Sequence, residues 1–203
     1  MKRFPLTVIA AFFSAIMSLS AGVANGEQAP DFTLKTPGDE AVSLSDHAGK
    51  YVVLEWVNPG CPFVQKFYNA GAMQRFQEQA QSMGGEAEVV WLSINSTAPS
   101  QKDYLSPEES RKYVEEKDVK STWLLDPSGD VGRAYGATNT PHLFIINPEG
   151  KVIYQGAIDS IRSADAKDID RADNYVMLAL KASLDGREIE TARTRPYGCS
   201  MKY

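Results

Sequence analysis

The stretch Tyr51-Val52-Val53-Leu54-Glu55-Trp56-Val57-Asn58-Pro59-Gly60-Cys61-Pro62 decides the architecture of this chain. Tyr51 to Val57 is apolar except for Glu55, as a central strand covered on both faces requires. Asn58-Pro59-Gly60 is a turn, and Pro62 suits the first position of a helix. Cys61 therefore stands where a strand passes into a helix N-terminus. Backbone N–H groups and the positive end of the helix dipole favour a thiolate at such a position, and the thiolate is the form that attacks disulfides and peroxides. The one other cysteine is Cys199, near the C-terminus. Two thiols so placed make thiol redox chemistry the leading reading.

Outward from this point the pattern stays α/β. Phe63, Phe67, Met73, Phe76, Ala80 and Met83 follow helical spacing, with Gly71 predicted to kink or split the helix and Gly84-Gly85 to end it. Upstream, Ala29 to Leu34 and Ala41 to Leu44 read as short strands. Downstream, Glu88 to Asn95 is an interior strand, and Ser106-Pro107-Glu108-Glu109 opens a helix running to about residue 118. Trp123 to Leu125 is a strand, and Val131 to Tyr135 a short helix ended by Gly136. His142 to Ile146 and Lys151 to Gln155 form a hairpin across Asn147-Pro148-Glu149-Gly150. Tyr175, Leu178, Ala179 and Ala182 space out a last helix, ended by Gly186. The order predicts an α/β fold with a mixed central sheet flanked by helices, in one domain over residues 28–186. Arg187 to Tyr203 has no helical period and reads as a flexible polar tail that carries Cys199.

The first residues read as a leader. Lys2 and Arg3 precede an apolar stretch from Phe4 to Leu19, and Gly22 and Ala24 fit a cleavage site, so residues 1–24 are expected to be a secretory signal peptide. The competing reading, an uncleaved anchor, is weakened by Pro5, Thr7 and Ser14 and by the short run. No later apolar run is long enough to span a bilayer. Export implies a periplasmic or secreted location, where disulfides persist. Cleavage removes two positive charges from a formal balance of −5. An acidic chain without basic clusters argues against nucleic-acid partners. Two cysteines allow one intramolecular bridge or one mixed disulfide. No CxxC…CxxC or HExxH pattern is present, so no metal site is expected, and no organic cofactor is implied.

Four features converge on Cys61. Its position is the first. Glu55, in an otherwise apolar strand, is expected to have a raised pKa suited to proton transfer, or else to reach the sheet edge or pair with a lysine. Thr140-Pro141 precedes a strand; a cis Pro141 would expose the Thr140 backbone to an extended partner, whereas a trans Pro would merely open the strand. Cys199 is expected to swing onto Cys61 and resolve an intermediate, or to staple the tail. Lys66, one turn into the helix, is a candidate to stabilise the thiolate. His142 is a candidate base or soft-metal ligand, and His47 reads as a surface residue.

These residues carry a resemblance. Ala-Pro-Asp-Phe-Thr-Leu at 29–34, Glu55 to Pro62, Thr140 to Asn147 and the ending Tyr197-Gly-Cys-Ser-Met-Lys-Tyr203 resemble the thioredoxin-like redoxins. The closer likeness is to the peroxiredoxin-like branch of the alkyl hydroperoxide reductase/thiol-specific antioxidant family, over about residues 28–184. The resemblance implies a thioredoxin-like fold and antioxidant or disulfide-exchange activity. Cys61 would be the nucleophile, with Asn58, Pro59, Gly60, Thr140 and Pro141 shaping the partner groove. Three departures matter. Val64 stands where thioredoxins carry a second cysteine. Asn58 stands where peroxiredoxins carry Thr or Ser. Pro141 stands where they carry a peroxide-polarising Arg, for which Arg133 is the available substitute.

The expectation is thus an exported thiol oxidoreductase acting on a thiol- or disulfide-bearing protein or a peroxide. Cys61 attacks, Glu55 assists proton movement and Cys199 resolves. The alternatives are a redox-inactive binding module using the same groove, and a Cu(I) metallochaperone using Cys61, His142 and Cys199. All of this requires a Cys61 sulfur that an attacker can reach. A thiol sealed in the interior would leave only a scaffold.

Overall fold

In the computed structural model, residues 22–203 are described. The expected signal peptide lies almost wholly outside them. Its last residues, Gly22 to Ala24, rest on the body, with Val23 buried and its carbonyl accepting from Gln155 Nε2 at 3.1 Å. Cleavage after Ala24 would take Val23 out of that seat.

The strands are β1 (Thr33–Lys35), β2 (Ala41–Ser43), β3 (Tyr51–Trp56), β4 (Val89–Asn95), β5 (Thr122–Leu125), β6 (Asn139–Thr140), β7 (His142–Ile146), β8 (Val152–Gly156) and β9 (Cys199–Ser200). The helices are α1 (Pro62–Asn69), α2 (Ala72–Met83), α3 (Pro107–Glu116), α4 (Asp130–Tyr135) and α5 (Tyr175–Leu184). One mixed sheet runs in the order β2-β1-β5-β4-β3-β7-β8, with β3 parallel to β4 and antiparallel to β7. A separate two-stranded pair, β6 with β9, lies outside it.

Strand β3 is central because its residues are apolar in both directions. Val53 and Val57 face a core shared with Val64, Phe67, Met73, Trp91, Leu143, Val176 and Leu180, which puts α1, α2 and α5 on that side. Leu54 and Trp56 face the other way, onto Phe32, Leu92, Ile94, Tyr135 and Phe144. The period of two along a strand makes this division. Gly71 splits the long helical stretch as expected: its φ of 65° is a left-handed conformation that costs a glycine little. Ser106 and Glu109 close a reciprocal capping box at the start of α3.

The tail departs from expectation. Residues 187–203 do not trail away from the domain; they cross it and add strand β9. Gln155 N–H donates to Ala192 O at 3.1 Å, Thr194 N–H to Gln155 O at 3.1 Å, and Met201 N–H to Thr138 O at 3.0 Å. Tyr203 ends the run with its hydroxyl on Ala137 O at 2.8 Å and its ring against the Arg133 guanidinium. Among the described residues, no helix is long and apolar enough to cross a membrane.

Candidate active site

Cys61 is the N-cap of α1, placed there by the turn that follows β3. Asn58 makes that turn. Its Oδ1 accepts from Gly60 N–H at 2.7 Å, and its Nδ2 donates to Thr97 Oγ1 at 3.1 Å. A side-chain acceptor that reaches its own backbone two residues on is an Asx turn, which explains an Asn here. Pro59 O accepts from Gln65 Nε2 at 2.9 Å, tying the turn to the first helical turn. Gly60 is small for a reason: a Cβ would stand 2.6 Å from Asp103 Cγ.

The Cys61 thiol donates to Thr140 O at 3.1 Å. The Thr140–Pro141 peptide is cis. Across the β6–β9 pair, Cys199 is the register partner of Thr140. That register sets Cys199 beside Cys61, and both cysteines are free. Burial, followed by the contact with Cys61, pushes the Cys199 thiol up to about 12. The structure therefore gathers Cys61, Thr140, Pro141 and Cys199 at one point, with Asn58, Pro59 and Gly60 forming the turn beside it.

Among the described residues, Cys61 does not open onto the groove expected beside it. Cys61 is only 1% exposed. Body residues such as Val57 and Val64 share its core, and the tail adds to the cover on the Thr140 side. Tyr197 packs edge-on against Phe63, with ring centroids 5.8 Å apart, and its hydroxyl donates to Asp159 Oδ1. Gly198 O accepts from Asn139 Nδ2 at 3.1 Å. Lys202 O accepts from Ala98 N–H at 2.8 Å, and its ammonium bonds Asp103. Each such hydrogen bond contributes about 1 kcal/mol net. Ordering each residue costs roughly 1–2 kcal/mol of backbone entropy. The burial of Tyr197 adds to the hold, so a partner reaches Cys61 only when this end of the tail comes away.

Sequence reasoning missed the residues that serve the thiols electrostatically. Lys66 does not face them. Its side chain is fully buried, 3.3 Å from Asp159 Oδ2 and 4.7 Å from the Phe67 ring centroid. The Lys66–Asp159–Tyr197 chain anchors the tail instead. The cation near the sulfurs is Lys202, whose pKa is raised by its bond to Asp103, with smaller contributions from Cys199 and Cys61. The sequence signal was Lys202 three positions after Cys199, but the partner that orients it, Asp103, is remote in the chain.

Glu55 is fully buried on the α1/α2 side of β3 and stands apart from the sulfurs in its hydrogen bonding. Its carboxylate accepts from Ser93 Oγ at 2.8 Å, Trp91 Nε1 at 3.0 Å, Tyr68 OH at 3.0 Å and Gln77 Nε2 at 3.4 Å. Burial raises its pKa, and these four donors oppose the rise. His142 shares its strand face with Phe144, whose ring centroid is 4.6 Å away, in the core opposite the one containing Cys61. Its Nδ1 accepts from Thr138 N–H at 3.3 Å. The three-ligand Cu(I) site is thereby corrected: strand alternation sends His142 away from the two thiols. Among the described residues, no group of three or more His, Cys, Asp and Glu is arranged to hold a metal. Arg133 bonds Ser128 O and Asp130 and stacks on Tyr203, so it is engaged away from Cys61.

The chain and its fold have counterparts. The thiol-disulfide oxidoreductase ResA of Bacillus subtilis is 26% identical over 143 residues, 70% of this chain and 72% of that protein. The thioredoxin-like protein YneN of the same organism is 28% identical over 152 residues, 73% of this chain and 82% of that one. An uncharacterized conserved protein from Geobacillus kaustophilus superposes with a TM-score of 0.74 at 27% identity, covering 89% of this chain and 92% of the other. The model of the AhpC/TSA family matches residues 25–155, from the first strands through Cys61 and the cis-proline to the end of the hairpin, and the chain belongs to that family.

Proposed function

We propose that this protein is an exported thiol-disulfide oxidoreductase in which Cys61 is the nucleophile and Cys199 the resolving thiol. The observation that carries the reading is the position of Cys199: it pairs with Thr140, whose carbonyl accepts the Cys61 thiol at 3.1 Å. The Cys61 thiolate attacks one sulfur of a partner disulfide. A Cys61–partner bond forms, and the other partner sulfur leaves as a thiolate. The Cys199 thiolate then attacks Cys61 Sγ, forming the Cys61–Cys199 bridge and releasing the second partner thiol. The partner gains two electrons, the protein loses two, and an external dithiol restores it.

Once the tail has left, Thr140 and Pro141 shape the partner groove with Asn58, Pro59 and Gly60. Lys202 attends the sulfurs while the tail is docked, and Glu55 supplies a buried titratable carboxyl in the strand that feeds Cys61. Disulfide exchange is preferred to peroxide reduction because Pro141 occupies the place of the polarising Arg and Arg133 is engaged elsewhere. Export rests on the leader sequence. Oxidised glutathione tests the reading: Cys199→Ser accumulates a mixed disulfide on Cys61, the parent protein passes on to an internal bridge, and Cys61→Ser does neither. An unmodified Cys199→Ser protein contradicts it. The burial of Cys61 favours one competitor, a redox-inactive binding module. That reading predicts alkylation of Cys61 only on global unfolding.

A further inference from the structure

We propose that the β6 edge takes one class of partner, an extended polypeptide whose reactive cysteine follows a glycine, and that residues 197–202 close this site by imitating that partner. The inference rests on the disulfide-exchange reading above.

The tail is seated as a substrate strand would be. Cys199 pairs antiparallel with Thr140 and Ser200 with Asn139, which places a cysteine beside Cys61 by register alone. The position before that cysteine admits no side chain. A Cβ on Gly198 would collide with the Thr140 carbonyl oxygen and approach Phe63 Cβ at 3.4 Å, and Gly198 has a φ of 116° that other residues rarely adopt. One position earlier, Tyr197 fills the space against Phe63. Three positions after the cysteine, Lys202 meets Asp103, the carboxylate that lies over Gly60. A partner that enters must displace this segment, so it must meet the same demands: extended backbone, glycine before the cysteine, and a cation that suits Asp103. The returning tail both resolves the intermediate and expels the partner from the same edge.

Two variants read the gate. In a Cys199→Ser background, Gly198→Ala drives the tail off the edge without touching Cys61, and Tyr203→Ala weakens its hold at the other end, away from the sulfurs. Each is expected to raise the rate of Cys61 alkylation by iodoacetamide about tenfold or more under conditions where the protein stays folded, with the unfolding midpoint lowered only by the matching loss of about 1.4 kcal/mol or more. Unchanged alkylation in both overturns the gate.

The second arm reads recognition. The peptides Pro-Tyr-Gly-Cys-Ser-Met-Lys and Pro-Tyr-Ala-Cys-Ser-Met-Lys are presented, each as its glutathione disulfide, to the Cys199→Ser/Gly198→Ala protein. Cys61 attacks the peptide sulfur and glutathione leaves as its thiolate. The glycine peptide is expected to be captured about tenfold faster. Equal capture, with free oxidised glutathione still reacting, overturns the inference and leaves the exchange reading standing. No reaction with glutathione or either peptide overturns both.

Discussion

Cys199 stands opposite Thr140 in the β6–β9 pair, and Thr140 offers its carbonyl to the thiol of Cys61. One residue thus touches both cysteines: by strand register on one side and by a hydrogen bond on the other. The relationship makes the resolving step sensitive to how the tail is ionised and anchored.

Ionisation comes first. With the Cys199 thiol pushed up to about 12 by burial and by Cys61, it is protonated at neutral pH in the docked form. Its thiolate fraction rises about tenfold per pH unit below that value. Release of glutathione from a Cys61 mixed disulfide, which needs the Cys199 thiolate, should therefore accelerate as pH rises from about 7 to 9. Replacing Lys202 by Met should slow it at every pH, because the ammonium lowers the Cys199 value. A pH-independent release, followed by thiol quantitation, contradicts this.

Anchoring depends on the buried Lys66–Asp159–Tyr197 chain. Tyr197→Phe removes a donor from Asp159, which keeps Lys66 at 3.3 Å and Ile161 N–H at 3.2 Å. The expected cost is about 1–3 kcal/mol in urea unfolding. Lys66→Met leaves the Asp159 carboxylate buried beside an apolar chain, at about 3–5 kcal/mol. A Lys66→Met protein as stable as the parent would show that the pair contributes nothing.

Glu55 imposes a pH dependence of known sign. Its folded pKa is raised by burial above the ordinary 4.5, so the folded state holds this proton more tightly than the unfolded state. Stability is therefore lost as pH rises from 4.5 through the raised folded value, and is level beyond it. Glu55→Gln should remove that limb from the parent-minus-variant difference in unfolding free energy. A difference that instead grows more favourable to Glu55 with rising pH contradicts the assignment.

His142 should behave as a neutral ring. Burial, and secondly Arg193, push it down to about 3 from 6.5. Between those values the unfolded chain binds the extra proton, so this contribution to stability is lost as pH falls through that window. Its imidazole carbon resonances should stay flat from about pH 5 to pH 8, and His142→Ala should leave the pH profile of Cys61 alkylation unchanged. A ring titrating near 6.5 contradicts its placement.

The parts of the fold legible in the sequence were those written locally. Residues 51–69 read as strand, turn and helix because apolar run, turn residues and Pro62 are adjacent. Gly71, the Ser106 capping box and the hairpin at Asn147 to Gly150 are likewise signals a few residues long. The tail was illegible for the opposite reason. Strand β9 is two residues long, and the tail's holds are Asp159, Asp103, Thr138 and Ala137, all remote in sequence. Lys66 read as a thiolate partner by helical spacing alone, when Asp159 had already claimed it. His142 followed Pro141 in the chain, but alternation along β7 sent it to the other core.

The covalent state of the two sulfurs tests the account most directly. The protein is exposed to limiting oxidised glutathione, blocked with iodoacetamide, digested without reduction and mapped by mass spectrometry. The account predicts one linked pair of peptides containing Cys61 and Cys199, each sulfur having lost its hydrogen, and a gain in folding stability of roughly 5 kcal/mol or less from closing so long a loop. Two separately alkylated or separately glutathionylated cysteines, with no Cys61–Cys199 linkage, would contradict it.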